Sequence, residues 1–278
     1  MVTILYPTDF SEVSKKALLE CIPKIVSTFG EDSKLILLHV VDITMVNIEA
    51  PALMEVDKRD LDRLANFIRE MGINVETVVR IGIPSLEISE VAKEENVNLI
   101  VIPSKGQNIL RQMLLGSTAS NLARITRKPV LILRYEVEDG KIKSLQECSN
   151  IFERPLVALD LSECSEKIIK NIRNLPEVKE AILFHVVDYG KVEELEANIN
   201  NAKKALSEYG KLLPWKIKVE IQAGIASRGI IGAAINNVAT LVVIGKKGKS
   251  ILKELLLGST AERVIRDCRL PTLLIPCD

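Results

Sequence analysis

The chain has 278 residues, 47% of them hydrophobic and 27% charged, with Lys+Arg and Asp+Glu balanced at 37 each. A formal charge of zero excludes a global field that would steer the protein to nucleic acid or an anionic membrane, and 4% aromatics argue against a base-stacking surface. No apolar run approaches the ~18 residues of a membrane span, and Met1 leads directly into an apolar run instead of a basic and then apolar leader. The expectation is a cytoplasmic protein with no nucleic-acid or membrane partner.

Short apolar runs occupy 2–6, 35–41, 75–79, 99–102 and 130–133, and again 156–159, 181–187, 217–221, 241–244 and 272–275. Such runs are apolar on both faces, as parallel strands covered by helices must be. Amphipathic stretches lie between them; Leu61, Leu64, Ala65 and Ile68, at helical spacing, put one apolar stripe on a sheet. Alternating strand and helix predict an α/β chain with two doubly wound, five-stranded parallel sheets. The domains are expected at 1–136 and 151–278, joined by a polar, aperiodic linker at 137–150.

The two halves keep the same marks. Asp9-Phe10-Ser11-Glu12 returns as Asp160-Leu161-Ser162-Glu163, His39-Val40-Val41-Asp42 as His185-Val186-Val187-Asp188, and Gly116-Ser117-Thr118 as Gly258-Ser259-Thr260. The offset falls from 151 at Asp9/Asp160 to 142 at Gly116/Gly258, so length changes are confined to the helices and loops of the first two-thirds.

In open α/β sheets ligands bind beyond the carboxyl ends of the strands, where strand order reverses. Asp9 and Asp160 follow the first strand of each copy; Gly106 and Gly245/Gly248 follow the fourth. If those strands are neighbours, the groups face each other. Asp9-x-x-Glu12 and Asp160-x-x-Glu163 also fit capping boxes, a role compatible with ligand contact. Ser259 with Glu262 fits a third, placing Gly258-Ser259 at a helix amino end, where free amides and the dipole favour phosphate. Lys246, Lys247 and Lys249 supply counter-charge. The plainer alternative is a glycine turn before a capped helix.

Gly248-Lys249-Ser250 resembles the end of a P-loop, but the leading glycine would fall at Val243, inside a strand, and no Gly-x-Gly-x-x-Gly opens a helix after a first strand. His39 and His185 end the second strand as packed residues, with no ligand at metal spacing, and no nucleophile–base pair stands out. Neither a catalytic residue nor a metal ligand is therefore assigned. Five cysteines without a Cys-x-x-Cys pair are expected as reduced thiols.

With Gly245-x2-Gly248-x9-Gly258-Ser259 in the second copy, and Pro7-Thr8-Asp9-Phe10-Ser11 and Gly82-Ile83-Pro84 in the first, the chain resembles a tandem universal stress protein, of the adenine-nucleotide alpha-hydrolase-like fold. The resemblance implies ATP or AMP as ligand, with Mg possible alongside ATP. In the first copy it implies a site of Pro7, Thr8, Asp9, Val40, Ile102, Lys105, Gly106, Gly116, Ser117 and Thr118. In the second it implies Ala158, Asp160, Val186, Ile244, Gly245, Lys247, Gly248, Gly258, Ser259 and Thr260. The backbone at Val40 and Val186 would recognise adenine. The resemblance further implies an intramolecular pseudo-dimer through the fifth strands, and a possible further homodimer.

Each copy departs from the pattern. Pro103 replaces the first signature glycine and brings no N–H; Ala158-Leu159 and Ala226 replace prolines or threonine in the second copy. The expected function is a nucleotide-binding stress-response regulator, with slow ATP hydrolysis at most and the second site the stronger for triphosphate. The alternatives are an enzyme that hydrolyses ATP or transfers AMP from it, and a nucleotide-independent interaction module, which Pro103 favours.

Overall fold

The computed structural model describes the chain except residues 45–49, 106–114, 139, 188–191, 249–256 and 278, and the side chains of 50–53 and 192–193. Two compact units emerge, Met1–Ser149 and Asn150–Asp278.

The first unit holds β1 (Thr3–Thr8), α1 (Glu12–Glu20), α2 (Ile22–Thr28), β2 (Lys34–Asp42), α3 (Ala50–Glu70), β3 (Asn74–Gly82), α4 (Pro84–Glu94), β4 (Leu99–Pro103), α5 (Ser117–Ile125) and β5 (Val130–Leu133). Its strands run parallel in the order β3-β2-β1-β4-β5. β1, β4 and β5 are buried along their whole length, as sandwiched strands must be. Each Leu or Ile so enclosed contributes about 1.5–3 kcal/mol. Edge strand β3 instead mixes buried and exposed positions.

The chain then forms an antiparallel hairpin, β6 (Tyr135–Glu138) with β7 (Lys141–Ser144). The expected polar, aperiodic segment thus contains a hairpin: Tyr135, Val137 and Ile142 alternate with Glu136, Glu138, Lys141 and Lys143, a period of two over strands of only four residues.

The second unit repeats the plan with β8 (Pro155–Ala158), α6 (Glu163–Ile172), β9 (Glu180–Val187), α7 (Val192–Lys211), β10 (Lys216–Ala223), α8 (Ala226–Asn236), β11 (Leu241–Gly245), α9 (Ser259–Asp267) and β12 (Thr272–Ile275). Its order is β10-β9-β8-β11-β12, again parallel. No helix among the described residues is long and apolar enough to cross a membrane.

The expectation of reduced thiols fails. Cys21 is bonded to Cys148 and Cys164 to Cys277, each pair with Cα atoms 4.9 Å apart; Cys268 is buried and free. The partners are 127 and 113 residues apart, so spacing could not reveal them. Disulfides persist in oxidising compartments, or inside cells of hyperthermophiles; the cysteines therefore give no support to a reducing cytosol.

Candidate functional site

The adjacency that the site requires is present. β1 pairs with β4 (Ile4 with Leu99, Leu5 with Ile100), and β8 pairs with β11 through Ala158 and Ile244. In the first unit the β1–β4 ladder ends at Leu5, while the β1–β2 ladder continues to Thr8 and His39. The crevice opens beyond the last β1–β4 pair, where Pro7, which has no N–H to donate, is tolerated.

The turn after the first strand is built alike in both units. Asp9 Oδ1 accepts from Ser11 N (3.0 Å), and Asp160 Oδ1 from Ser162 N (3.0 Å) and from the Ser162 and Ser165 hydroxyls (2.6 and 3.1 Å). The residue after each aspartate is left-handed, Phe10 at φ 58° and Leu161 at φ 62°. A bulky side chain rarely adopts that region, and it clusters where strain positions a functional group. A histidine locks the turn from the neighbouring strand: His39 Nδ1 lies 2.8 Å from Thr8 O, and His185 Nδ1 lies 2.6 Å from Leu159 O. In the first unit His39 Nε2 also meets Asp57 Oδ2 at 3.3 Å, and its ring stacks against Phe10 with centroids 4.3 Å apart.

These contacts correct the capping expectation. The caps are Ser11 and Ser162, two residues beyond the aspartates, receiving Ser14 N and Cys164 N respectively (both 3.2 Å). The Ser259–Glu262 box does not form either, because Gly258 is the cap and Ser259 already lies inside α9. α5 likewise opens at Gly116. Among the described residues no side chain caps either helix, which leaves the first amides of each without an intrahelical partner. The two glycines fold back identically, Gly116 N onto Ser104 O (2.8 Å) and Gly258 N onto Lys246 O (2.9 Å).

In the first unit a cavity of about 450 Å³ fills the crevice, within the ~300–1,000 Å³ span of small-molecule sites. Its walls include Pro7, Thr8, Asp9, Val40, Ile102, Lys105, Gly116, Ser117 and Thr118. Gly106 lies outside the described residues. Pro103 is also a wall residue, in register with Leu133. The sequence reading did not single out Asp42 or Asp57, which join the wall from β2 and α3; Asp42 ends the repeated His-Val-Val-Asp and Asp57 stands four residues before Leu61 on the sheet-facing stripe, both usable signals. Lys105 is only 7% exposed, and among the described residues no acceptor pairs with its ammonium.

In the second unit, Ala158, Val186 and Ile244 lie at the carboxyl ends of β8, β9 and β11, with Lys247 and Gly248 just beyond. A Cβ on Gly248 would stand 2.9 Å from Asp160 Oδ2, so the loop after β11 reaches the turn after β8. Gly245 differs: its side-chain space is filled by Cys164 Sγ at 2.5 Å and Cys277 Sγ at 3.1 Å. Ser259 and Thr260 open α9.

Two doubly wound parallel-sheet units, each with the same aspartate turn after its first strand and a glycine-capped helix after its fourth, and the first with a cavity at its switch point, define the class. The profile of the Universal stress protein family matches residues 1–134 and 152–276, and the chain belongs to that family in two copies. Universal stress protein MJ0577 of Methanocaldococcus jannaschii is 30% identical over 156 residues, spanning 47% of this chain and 93% of its own. YxiE of Bacillus subtilis is 40% identical over 83 residues, 29% of this chain and 56% of its own. A universal stress protein structure from Archaeoglobus fulgidus DSM 4304 shares the fold with a TM-score of 0.71 at 23% identity, covering 99% of this chain and 96% of that one.

Proposed function

We propose that the protein is a regulator that binds an adenine nucleotide, ATP or AMP, at the switch point of each unit. One observation carries the reading. In the first unit Lys105, 7% exposed and with no acceptor for its ammonium among the described residues, shares a cavity with the amino end of α5. Burying a cation is costly, so the site suits an anionic ligand. Phosphate at a helix amino end satisfies amides and dipole together. The apolar walls, Pro7, Val40, Ile88 and Ile102, suit a base. The second unit offers the same helix opening, with Lys246 and Lys247 beside it. We assign it the tighter grip on triphosphate, because it has the greater local positive charge.

The test is mass spectrometry of protein purified without added nucleotide, followed by titration with ATP, AMP and adenosine. Retained nucleotide, and ATP or AMP binding at least tenfold tighter than adenosine, is expected. Protein that neither retains nor binds any of the three overturns the reading in favour of an interaction module.

A further inference from the structure

The Cys164–Cys277 disulfide lies against the loop that follows β11. Cys164 is in the first turn of α6, just past the Asp160 turn, and Cys277 follows β12. Lys247 N is 3.4 Å from Cys277 Sγ, and that sulfur is 3.5 Å from Lys247 O. Lys167 Nζ donates to Cys277 O at 2.5 Å. The two sulfurs also occupy the space that a side chain at residue 245 would need. One bond thus ties together the helix that follows the Asp160 turn, the segment after β12 and the 245–248 loop. At the equivalent places the first unit has Val13, Tyr135 and Pro103. With no cysteine at 13 or 135 the first unit cannot form this clasp, which belongs to the second unit alone.

We propose that Cys164–Cys277 is a redox site, with a dithiol as its reductant, that sets the nucleotide affinity of the second unit; this rests on the nucleotide reading above. Cys164 is 6% exposed, while Cys277 is half-buried, so attack falls on Cys277. A thiolate of the reductant bonds to Cys277 Sγ, and the S–S bond breaks. Cys164 leaves as thiolate and takes a proton. The reductant's second thiol then displaces Cys277, which is protonated in turn, and the reductant ends as its own disulfide. Two electrons and two protons pass to the cysteine pair. Unbonded, the sulfurs must part by roughly 1.5 Å to reach van der Waals contact. Cys164 is held by α6 and by Gly245, so the displacement falls on Cys277 and Lys247. The oxidised form holds the loop ready for phosphate, and reduction releases it.

Calorimetric titration of the full chain with ATP, before and after dithiothreitol, tests this. One class of site is expected to weaken about tenfold or more, within the usual range of coupling between sites, and the other to stay unchanged. Cys277→Ser should weaken the same class without reductant and abolish the response to it. Thiol counting on protein purified without reductant should find one free thiol, and five after reduction. Five at the outset, or identical ATP isotherms in both redox states, overturns the proposal. Should no nucleotide bind in either state, the nucleotide reading fails by itself. The clasp is then judged by amide exchange at residues 245–248: faster exchange on reduction supports it, and unchanged exchange overturns it.

Discussion

Gly248 and Asp160, 88 positions apart in sequence, meet so closely that a methyl group on the glycine would stand 2.9 Å from the carboxylate. Asp160 cannot swing aside without cost, because Ser162 and Ser165 hold its other oxygen. Gly248→Ala is therefore expected to lose about 1 kcal/mol of stability and to weaken ATP binding in the second unit. Gly248→Ala with Asp160→Ala should recover part of the stability, since contacting sites couple. Denaturant unfolding of both single variants and the double checks this; strictly additive losses would contradict the contact.

Lys105→Met separates charge from packing. Removing a nearly buried cation that has no acceptor among the described residues should leave the free protein as stable as before, or more so. ATP should bind at least tenfold more weakly at the first site, the range of a lost charge-assisted bond. Adenosine should be affected less than twofold. Equal losses for ATP and adenosine would place Lys105 against the nucleoside instead of the phosphates.

Gly245→Ala should be harmful through the disulfide. The added methyl would meet Cys164 Sγ at 2.5 Å, Cys277 Sγ at 3.1 Å and Ile168 Cδ1 at 3.2 Å. Overpacking of this kind costs about 1–3 kcal/mol. The same change made together with Cys164→Ala should cost clearly less than the sum of the two. Thermal melts of the single and double variants provide the comparison.

Stability should fall on the alkaline side. Burial holds the Tyr6 and Tyr135 hydroxyls well above the ordinary tyrosine range, and Glu20 adds to the shift at Tyr135. Below pH ~10 both tyrosines are protonated whether the chain is folded or not. Above it the unfolded chain sheds these protons while the folded chain keeps them, so stability declines by up to about 1.4 kcal/mol per pH unit for each. Tyr6→Phe should flatten this decline while losing about 1 kcal/mol with the 2.7 Å bond to Ser14 O. Urea midpoints from pH 8 to 11.5 would show both effects.

The ten sheet strands were legible because sandwiched strands leave unbroken apolar runs, and the repeat showed which loops matter. Asp9, Gly116 and their counterparts fell at the switch point because strand ends could be read. The cap lies two residues beyond the expected place because Asp9-x-x-Glu12 fits the capping-box pattern whereas the actual cap, Ser11, followed three residues on by Ser14, does not. Asp57 stands four residues before Leu61, on the stripe that turns to the sheet, so its face was legible; what the sequence did not show is that this end of α3 reaches the crevice. The cysteine pairs were hidden because each depends on segments more than a hundred residues apart being brought together. That pairing also gives Gly245, which reads as a phosphate glycine, a packing duty.

Phe10 and Leu161 hold the left-handed backbone without being glycine. Such a residue costs roughly 1–2 kcal/mol, and each of the two aspartate turns bears that cost. Leu161→Gly is then an obvious route to a more heat-tolerant variant, yet it would free Asp160 to wander. The chain has settled for less robustness than it could have, in exchange for a carboxylate that is already aimed before anything arrives.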